Sequence, residues 1–444
     1  MKTNSNIKYD RIDKMIYISF IIIMIGIPFL KSLSYVDFLN KIHNTFFIRS
    51  RAYFLWVSII FLLIIYLYST ISKKRKVNYI DYLFYILGFL GIISTIFAID
   101  LEKSIFGEPN RYEGILSLFS YYLIALNAKN LESKKLRVKI INIFIIIGVF
   151  QSIIGILQSL TNLSFVRRFP GSPYMALGLC SNPNFYGSYI GILLSIVSIY
   201  YIYKTNLINT ILVILFAFCL YLSGSTGPLL GFVLSFMFIF ILLRKKWYKM
   251  LSLGIIIILT LFISDKLLIY VQEEIYGFEI ASKYYIKEDI KENIKKISSG
   301  NKNEIMSVAT NRVKVWVNTL PLFKRYWLFG AGIDNFRDIY PQSGYISYDK
   351  AHNVYLQIGI TNGIPALIVY MIICFIPFAK GFKLKDKFSH ALYMAFVTYC
   401  IQAFANISVI DVAPYFFLVL GLLIHQTDKE KLEFKKYFKI NKNK

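Results

Sequence analysis

The chain has 444 residues, of which 56% are hydrophobic and 17% aromatic, a composition too apolar for an ordinary soluble protein of several domains. Its 50 Lys and Arg outnumber 25 Asp and Glu, for a net charge of +25. These charges stand in short clusters between apolar runs rather than along one face, which argues against a nucleic-acid partner and for membrane topology.

A membrane-crossing helix needs about 20 mostly apolar residues. By that rule the sequence predicts an all-α, polytopic membrane protein with about twelve transmembrane helices, at 15–30, 52–71, 79–99, 114–128, 138–160, 185–203, 206–222, 228–243, 250–264, 361–379, 391–407 and 412–426. Met15 to Leu30 follows a basic N-terminus but is followed by Lys31 and no small-residue cleavage site, so it reads as an uncleaved first span. Nine spans then occupy 1–264, an exported loop 265–350, three more spans 351–426, and a basic tail 427–444.

The connecting segments alternate in charge. One side carries 29 Lys and Arg, including Lys73-Lys74-Arg75-Lys76 and seven in the tail, whereas the short loops of the other side carry 8. The positive-inside rule therefore places both termini in the cytoplasm. The remaining 13 basic residues fall in the long segment, which is exported regardless of its charge. Within it Ile286, Ile290, Ile294 and Ile297 recur at helical spacing among Lys and Glu, the pattern of an amphipathic helix lying on the outer surface. A loosely ordered polar linker is the plainer alternative.

Cys180, Cys219, Cys374 and Cys400 lie in or beside apolar runs without CxxC spacing, and read as small buried hydrophobes. The polar motifs all fall on the predicted outer side. They are Gly107-Glu108-Pro109-Asn110-Arg111-Tyr112-Glu113-Gly114, Arg167-Arg168, Ser181-Asn182-Pro183-Asn184, Ser223-Gly224-Ser225-Thr226-Gly227, and the approach from Arg312 and Trp316 to His352-Asn353.

Any one of Arg111, Arg167, Arg168 or Arg312 at an interface can snorkel to lipid headgroups. Several on one face beside a lone histidine suit another task. Guanidinium groups bind phosphate oxygens bidentately and stay charged at any working pH, so such a cluster can hold a diphosphate and stabilise it as it leaves. His352 can accept a proton from an attacking hydroxyl or hydrogen-bond the diphosphate; its plainer reading is a residue capping a helix start. His43 stands in an outer loop with no motif, and His390 and His425 fall on the cytoplasmic side.

Other readings are weaker. Gly330-Ala331-Gly332 lacks the third glycine of a dinucleotide fingerprint and reads as a tight turn. Asp100-Leu101-Glu102 has acidic spacing that could ligate a divalent ion, but no second acidic cluster accompanies it. Asn182-Pro183-Asn184 before an apolar run is most simply a turn and helix cap, with a phosphate-lining role as the alternative.

The order of GEPNRYEG at 107–114, SNPNFYGSY at 181–189, the serine-rich turn at 223–227, Arg312 to Trp316, FGAGIDNF at 329–336 and HNVYLQIGITNGIPAL at 352–367 resembles the O-antigen ligase and O-antigen polymerase superfamily. That resemblance implies a metal-independent, inverting, multi-span glycosyltransferase with no cofactor. Its donor would be a glycan on undecaprenyl diphosphate and its acceptor a hydroxyl, met among membrane lipids at the outer face. It casts Arg312 and Arg111 as diphosphate holders with Arg167 or Arg168 a candidate third, His352 as the acceptor-activating or diphosphate-contacting group, and Glu113, Asn182, Asn184, Asn353 and Trp316 as supports. The serine-rich turn of the family commonly carries an arginine where this chain has Thr226. A lipid-linked glycan flippase is the rival from another class, although the charges sit at outer ends and no internal repeat is visible.

Overall fold

The structure is a computed structural model that describes residues 4–33, 37–72, 77–109, 111–161, 174–271, 286–341 and 348–442. It is helical throughout, with no strand among the described residues. In chain order the helices are α1 (Asn4–Leu33), α2 (Asp37–Ser72), α3 (Tyr79–Ile96), α4 (Leu101–Phe106), α5 (Ile115–Asn130), α6 (Lys134–Leu160), α7 (Pro183–Tyr203), α8 (Leu207–Leu222), α9 (Thr226–Leu242) and α10 (Trp247–Tyr270). The intervening segment contributes α11 (Ile286–Ser298), α12 (Lys302–Met306), α13 (Val308–Thr319), α14 (Phe323–Tyr326) and α15 (Phe336–Ile339). The chain ends with α16 (Val354–Thr361), α17 (Ile364–Gly381), α18 (Lys387–Gln402) and α19 (Ala413–Lys442).

A helix overlaps each of the twelve apolar segments, although α3 stops at Ile96 short of 99 and α18 at Gln402 short of 407. Seven of them, α1, α2, α3, α6, α7, α10 and α17, are long and apolar enough to cross a membrane. The others differ in reach: α5, α8 and α18 have 16 residues and α9 has 17. Boundaries also move. The stretch expected as an outer loop at 31–51 is helical from Asp37, because no Gly or Pro interrupts 37–72. The last helix continues past the expected end at 426 through Lys442.

Capping fixes several entries. Asn78 and Asp81 form a reciprocal capping box at α3, and Asn182, followed by Pro183 at the first helical position, caps α7. The α7 helix is apolar on all faces and is buried throughout, as such a helix must be. It packs against α8, α9 and α18, and Ser195 Oγ and Thr398 Oγ1 meet across the α7–α18 seam at 2.7 Å. Helices α5 and α19 approach so closely that a Cβ on Gly421 would stand 2.2 Å from the Ala125 carbonyl oxygen.

Large apolar side chains such as Ile22, Phe61, Phe89, Phe150, Met237 and Phe262 remain exposed on the outer helix faces, where hydrocarbon rather than water is their natural neighbour. Cys180, Cys219 and Cys374 are buried and Cys400 partly so; none is in a disulfide.

Candidate active site

Three segments meet at the end of the bundle that carries the intervening segment. The first is the loop between α4 and α5. Its Glu108 N–H donates to Asp334 Oδ2 at 2.7 Å, and the Glu108 carboxylate pairs with Arg337 at 2.7 Å. These contacts present Arg111, whose Nε donates to Asp349 Oδ2 at 2.6 Å while its guanidinium carbon lies 5.6 Å from the ring centre of Phe185. Arg111 thus joins the GEPNRYEG loop to the approach to α16 and stacks on the first turn of α7.

The second segment is 348–353. The Ala351 peptide is held at both ends: its N–H donates to Gln357 Oε1 at 2.8 Å and its carbonyl accepts from Trp316 Nε1 at 3.1 Å. His352 follows with φ +50°, a left-handed conformation that a residue with a side chain adopts only under local constraint, at a cost of about 1–3 kcal/mol. The helix cap is Asn353, not His352: the Asn353 side chain accepts from the N–H groups of Tyr355 and Leu356 at 3.0 and 3.1 Å. The imidazole is therefore not spent on the backbone of α16.

The third segment is α13, where Arg312 and Trp316 stand one turn apart. The Trp316–Ala351 bond docks this helix beside His352, so Arg312 comes close enough to act on the imidazole. Burial first and the Arg312 charge second push the His352 pKa down to about 4, Asp349 opposing and Arg111 and Lys350 adding to the fall. The imidazole is held neutral. Burial also lowers the Arg312 pKa, with Asp289 opposing. Burial pushes the Asp349 carboxyl up, but the charge and hydrogen bond of Arg111, with Lys350 and His352 behind them, outweigh it and hold Asp349 below its ordinary range.

Behind this face lies a cavity of about 60 Å³ lined by Glu113, Asp334, Lys350, Gln357 and Tyr399 among others. Lys350 and Asp334 form a buried ion pair, and Glu113 accepts from Tyr121 Oη at 2.7 Å. Burial raises the Glu113 carboxyl to about 7 against the opposing charge of Lys350. Glu113 Oε2 and Gln357 Nε2 are buried there and find no hydrogen-bond partner among the described residues.

The FGAGIDNF stretch is scaffold. Ala331 and Gly332 donate their N–H groups to the carbonyls of Ile360 and Thr361 at 3.0 and 3.1 Å, stitching the intervening segment to the end of α16. Gly332 has φ +103°, and a Cβ there would stand 2.4 Å from the Ala98 Cβ, so no other residue fits. Asn335 Oδ1 accepts from the Asp100 N–H at 2.7 Å, and its Nδ2 donates to the Asp100 and Ile333 carbonyls at 3.1 and 2.9 Å. The glycine pair is the tight turn its spacing suggests. Asp100 caps α4 through the Lys103 N–H at 3.1 Å and lies 3.6 Å from the Lys103 ammonium.

Asn182 accepts from the Asn184 N–H at 2.8 Å as the α7 cap, and the Asn184 carbonyl accepts from Asn406 at 3.4 Å. Both asparagines hold the turn that places Phe185 under Arg111. Ser223 and Ser225 face Gly187 on α7, with Thr226 opening α9. Arg167 and Arg168 lie outside the described residues.

Residues 211–371 match the family described as O-antigen ligase. This region of the chain is similar to the O-antigen ligase family. It runs from within α8 to within α17 and contains Arg312, Trp316, Asp349, His352 and Asn353. Arg111 and the Asn182 turn precede the matched region in sequence, but Arg111 is bonded to Asp349 within it. No curated protein matches the chain.

Sequence reasoning brought forward Arg111, Arg312 and His352, which the fold gathers, but not Asp349, Lys350 or Asp334. The signal was present: Asp349-Lys350 stands immediately before Ala351-His352, an acid and a base beside the only histidine in an outer motif. Also missed was Arg51, buried with its Nη1 donating to Ser181 Oγ at 2.6 Å and paired with Asp411, whose Oδ2 accepts from the Ser181 N–H at 2.9 Å.

Proposed function

We propose that the protein is a glycosyltransferase of polysaccharide assembly that moves a glycan from undecaprenyl diphosphate to an acceptor hydroxyl at the extracytoplasmic face of the cytoplasmic membrane. The observation that carries this reading is the convergence of Arg111, Arg312 and a neutral His352 from three separate segments, one of them outside the matched region. Two guanidiniums meet the geometry and charge of a diphosphate. The linkage is already activated, so the step asks for no nucleotide and no metal: the acceptor oxygen attacks the anomeric carbon as the bond to the diphosphate oxygen breaks. The configuration inverts in this single displacement.

In this mechanism His352 takes the hydroxyl proton while Arg111 and Arg312 stabilise the charge that builds on the departing diphosphate. The donor also prepares the base. Without it, burial and, second to it, the guanidinium charge hold the imidazole pKa down; a bound diphosphate offsets that charge and raises the pKa, making His352 a better proton acceptor when the donor is in place. Asp349 keeps Arg111 aimed before the donor arrives.

The test is a reconstituted reaction. Purified protein in detergent is given a glycan on a polyprenyl diphosphate with candidate acceptors, and product and free carrier diphosphate are followed. Both should form with chelator present, and both should vanish for His352→Ala at unchanged protein level. Donor crossing a bilayer with neither product formed would make the protein a flippase instead.

A further inference from the structure

Helix α11 has two differently occupied faces. Asp289, Asn293 and Lys296 are half-buried on the side turned to the protein, where the Asn293 Oδ1 accepts the Ala309 N–H at 2.9 Å and the Asp289 charge reaches Arg312. The helix packs against α13 and against α9. Since α9 is an apolar helix of the bundle, α11 lies against that bundle rather than apart from it. On the other side Ile290, Ile294 and Ile297 are 43%, 61% and 59% exposed and form one stripe, with Lys291 and Lys295 exposed along its edge. An isoleucine stripe edged by lysines beside a membrane bundle matches an anionic bilayer surface, with the methyl groups reaching the acyl boundary and the ammoniums the headgroups.

We infer that α11 docks on the anionic phospholipid surface of the outer leaflet and, through Asn293 and Asp289, fixes the height of α13 and so of Arg312 at the headgroup plane. The clamp acts at a sensitive place: Ala309 and Asn311 have φ +53° and +66°, conformations that need outside support, and Arg312 follows directly. A diphosphate carried on a membrane lipid presents its charge at that plane, which is where a guanidinium anchored to the same surface meets it. This last step rests on the transferase reading; the docking itself does not.

The full-length protein is placed in nanodiscs of phosphatidylcholine alone or mixed with phosphatidylglycerol, and amide exchange is followed in 286–298 and 308–319. Exchange in both segments should be slower with phosphatidylglycerol. The double variant Lys291→Glu, Lys295→Glu should lose that dependence, Ile294→Glu should lose protection in either lipid, and transfer activity in the anionic discs should fall several-fold for both while the melting temperature stays near wild type. His352→Ala should abolish transfer yet keep the lipid-dependent protection, which separates failure of docking from failure of the transferase reading. Exchange in 286–298 that is the same in both lipids overturns the docking. Lipid-dependent exchange in 286–298 that 308–319 does not follow overturns the coupling to Arg312.

Discussion

Arg111 and Asp349 meet at 2.6 Å although 238 positions separate them in sequence, and this contact closes the loop before α5 onto the approach to α16. The guanidinium is shared between a carboxylate on one side and the Phe185 ring on the other, which leaves part of its donor fork for a ligand. Arg111→Ala should lower transfer by about 10²-fold, the scale of losing one charge-stabilising donor in an enzyme site. Arg111→Lys keeps the charge but not the planar fork, and should restore little. Steady-state kinetics on the reconstituted reaction check this, with equal activity of Lys and wild type counting against a bidentate role. Asp349→Asn should leave folding intact and weaken Arg111 less than its removal does.

His352 carries a pH prediction with a definite sign. Its folded pKa is lowered to about 4, below the ordinary histidine value, so the free protein keeps a neutral imidazole as pH falls through 6.5 and protonates it only near 4. The acid limb of kcat/KM, which reports the free enzyme, should therefore lie well below 6.5, while that of kcat, which reports the donor complex, should move upward. Coincident limbs would mean that a bound diphosphate does not offset the Arg312 and Arg111 charge at the imidazole, and limbs near 6.5 that burial does not lower its pKa either.

How much of this was legible follows from which residues act alone and which act in pairs. The helices read from composition because lipid solvation demands long apolar runs, and each predicted run contains a helix, with ends that shift by several residues. Arg111 and His352 read from sequence because each stands close to an apolar run, and Arg312 because, with Trp316, it carries part of the family resemblance inside the exported segment. Asp349, Lys350 and Asp334 did not, because an acidic or basic residue in a polar segment becomes informative only when the fold supplies its partner: Asp334 is 16 positions from Lys350, with α15 between them. Asn182 was ambiguous between a cap and a phosphate-lining residue, and its backbone bond shows it as a cap; the capping role considered for His352 falls to Asn353. Arg51 was counted among the outer-loop charges, since nothing local separates a buried Arg at the start of an apolar run from a snorkelling one.

Glu113 predicts how stability depends on pH. Its folded pKa is raised to about 7 by burial, whereas the unfolded carboxyl titrates near 4.3, so the folded state holds the proton over the interval between them. The stabilisation this group gives is present in full below the unfolded pKa and is lost as pH rises through the folded one. Melting temperature should therefore decline from pH 5 to pH 8 through this residue. Glu113→Gln keeps an acceptor for Tyr121 and removes the titration, so its profile should be flatter and it should melt above wild type at pH 8. Thermal melts of the purified protein across that range check the sign.

Arg51 and Asp411 pair in the bundle interior, both almost wholly buried, and together they fasten Ser181 at the turn that leads into α7. Two charges removed from solvent attract strongly, but the attraction mainly offsets their desolvation, so the pair stabilises little relative to apolar residues of the same size. Removing one partner is different, because the other charge is then left buried and unmatched at a cost of about 3–5 kcal/mol. Arg51→Met and Asp411→Leu should each lower folded yield and melting temperature sharply, and the double variant should recover much of the loss. Because the pair also fixes Ser181, and through the Asn182 cap the position of Phe185 beneath Arg111, the recovered double variant should melt near wild type yet transfer several-fold more slowly. A double variant with full activity would confine the pair to stability and detach the Ser181 turn from the placement of Arg111.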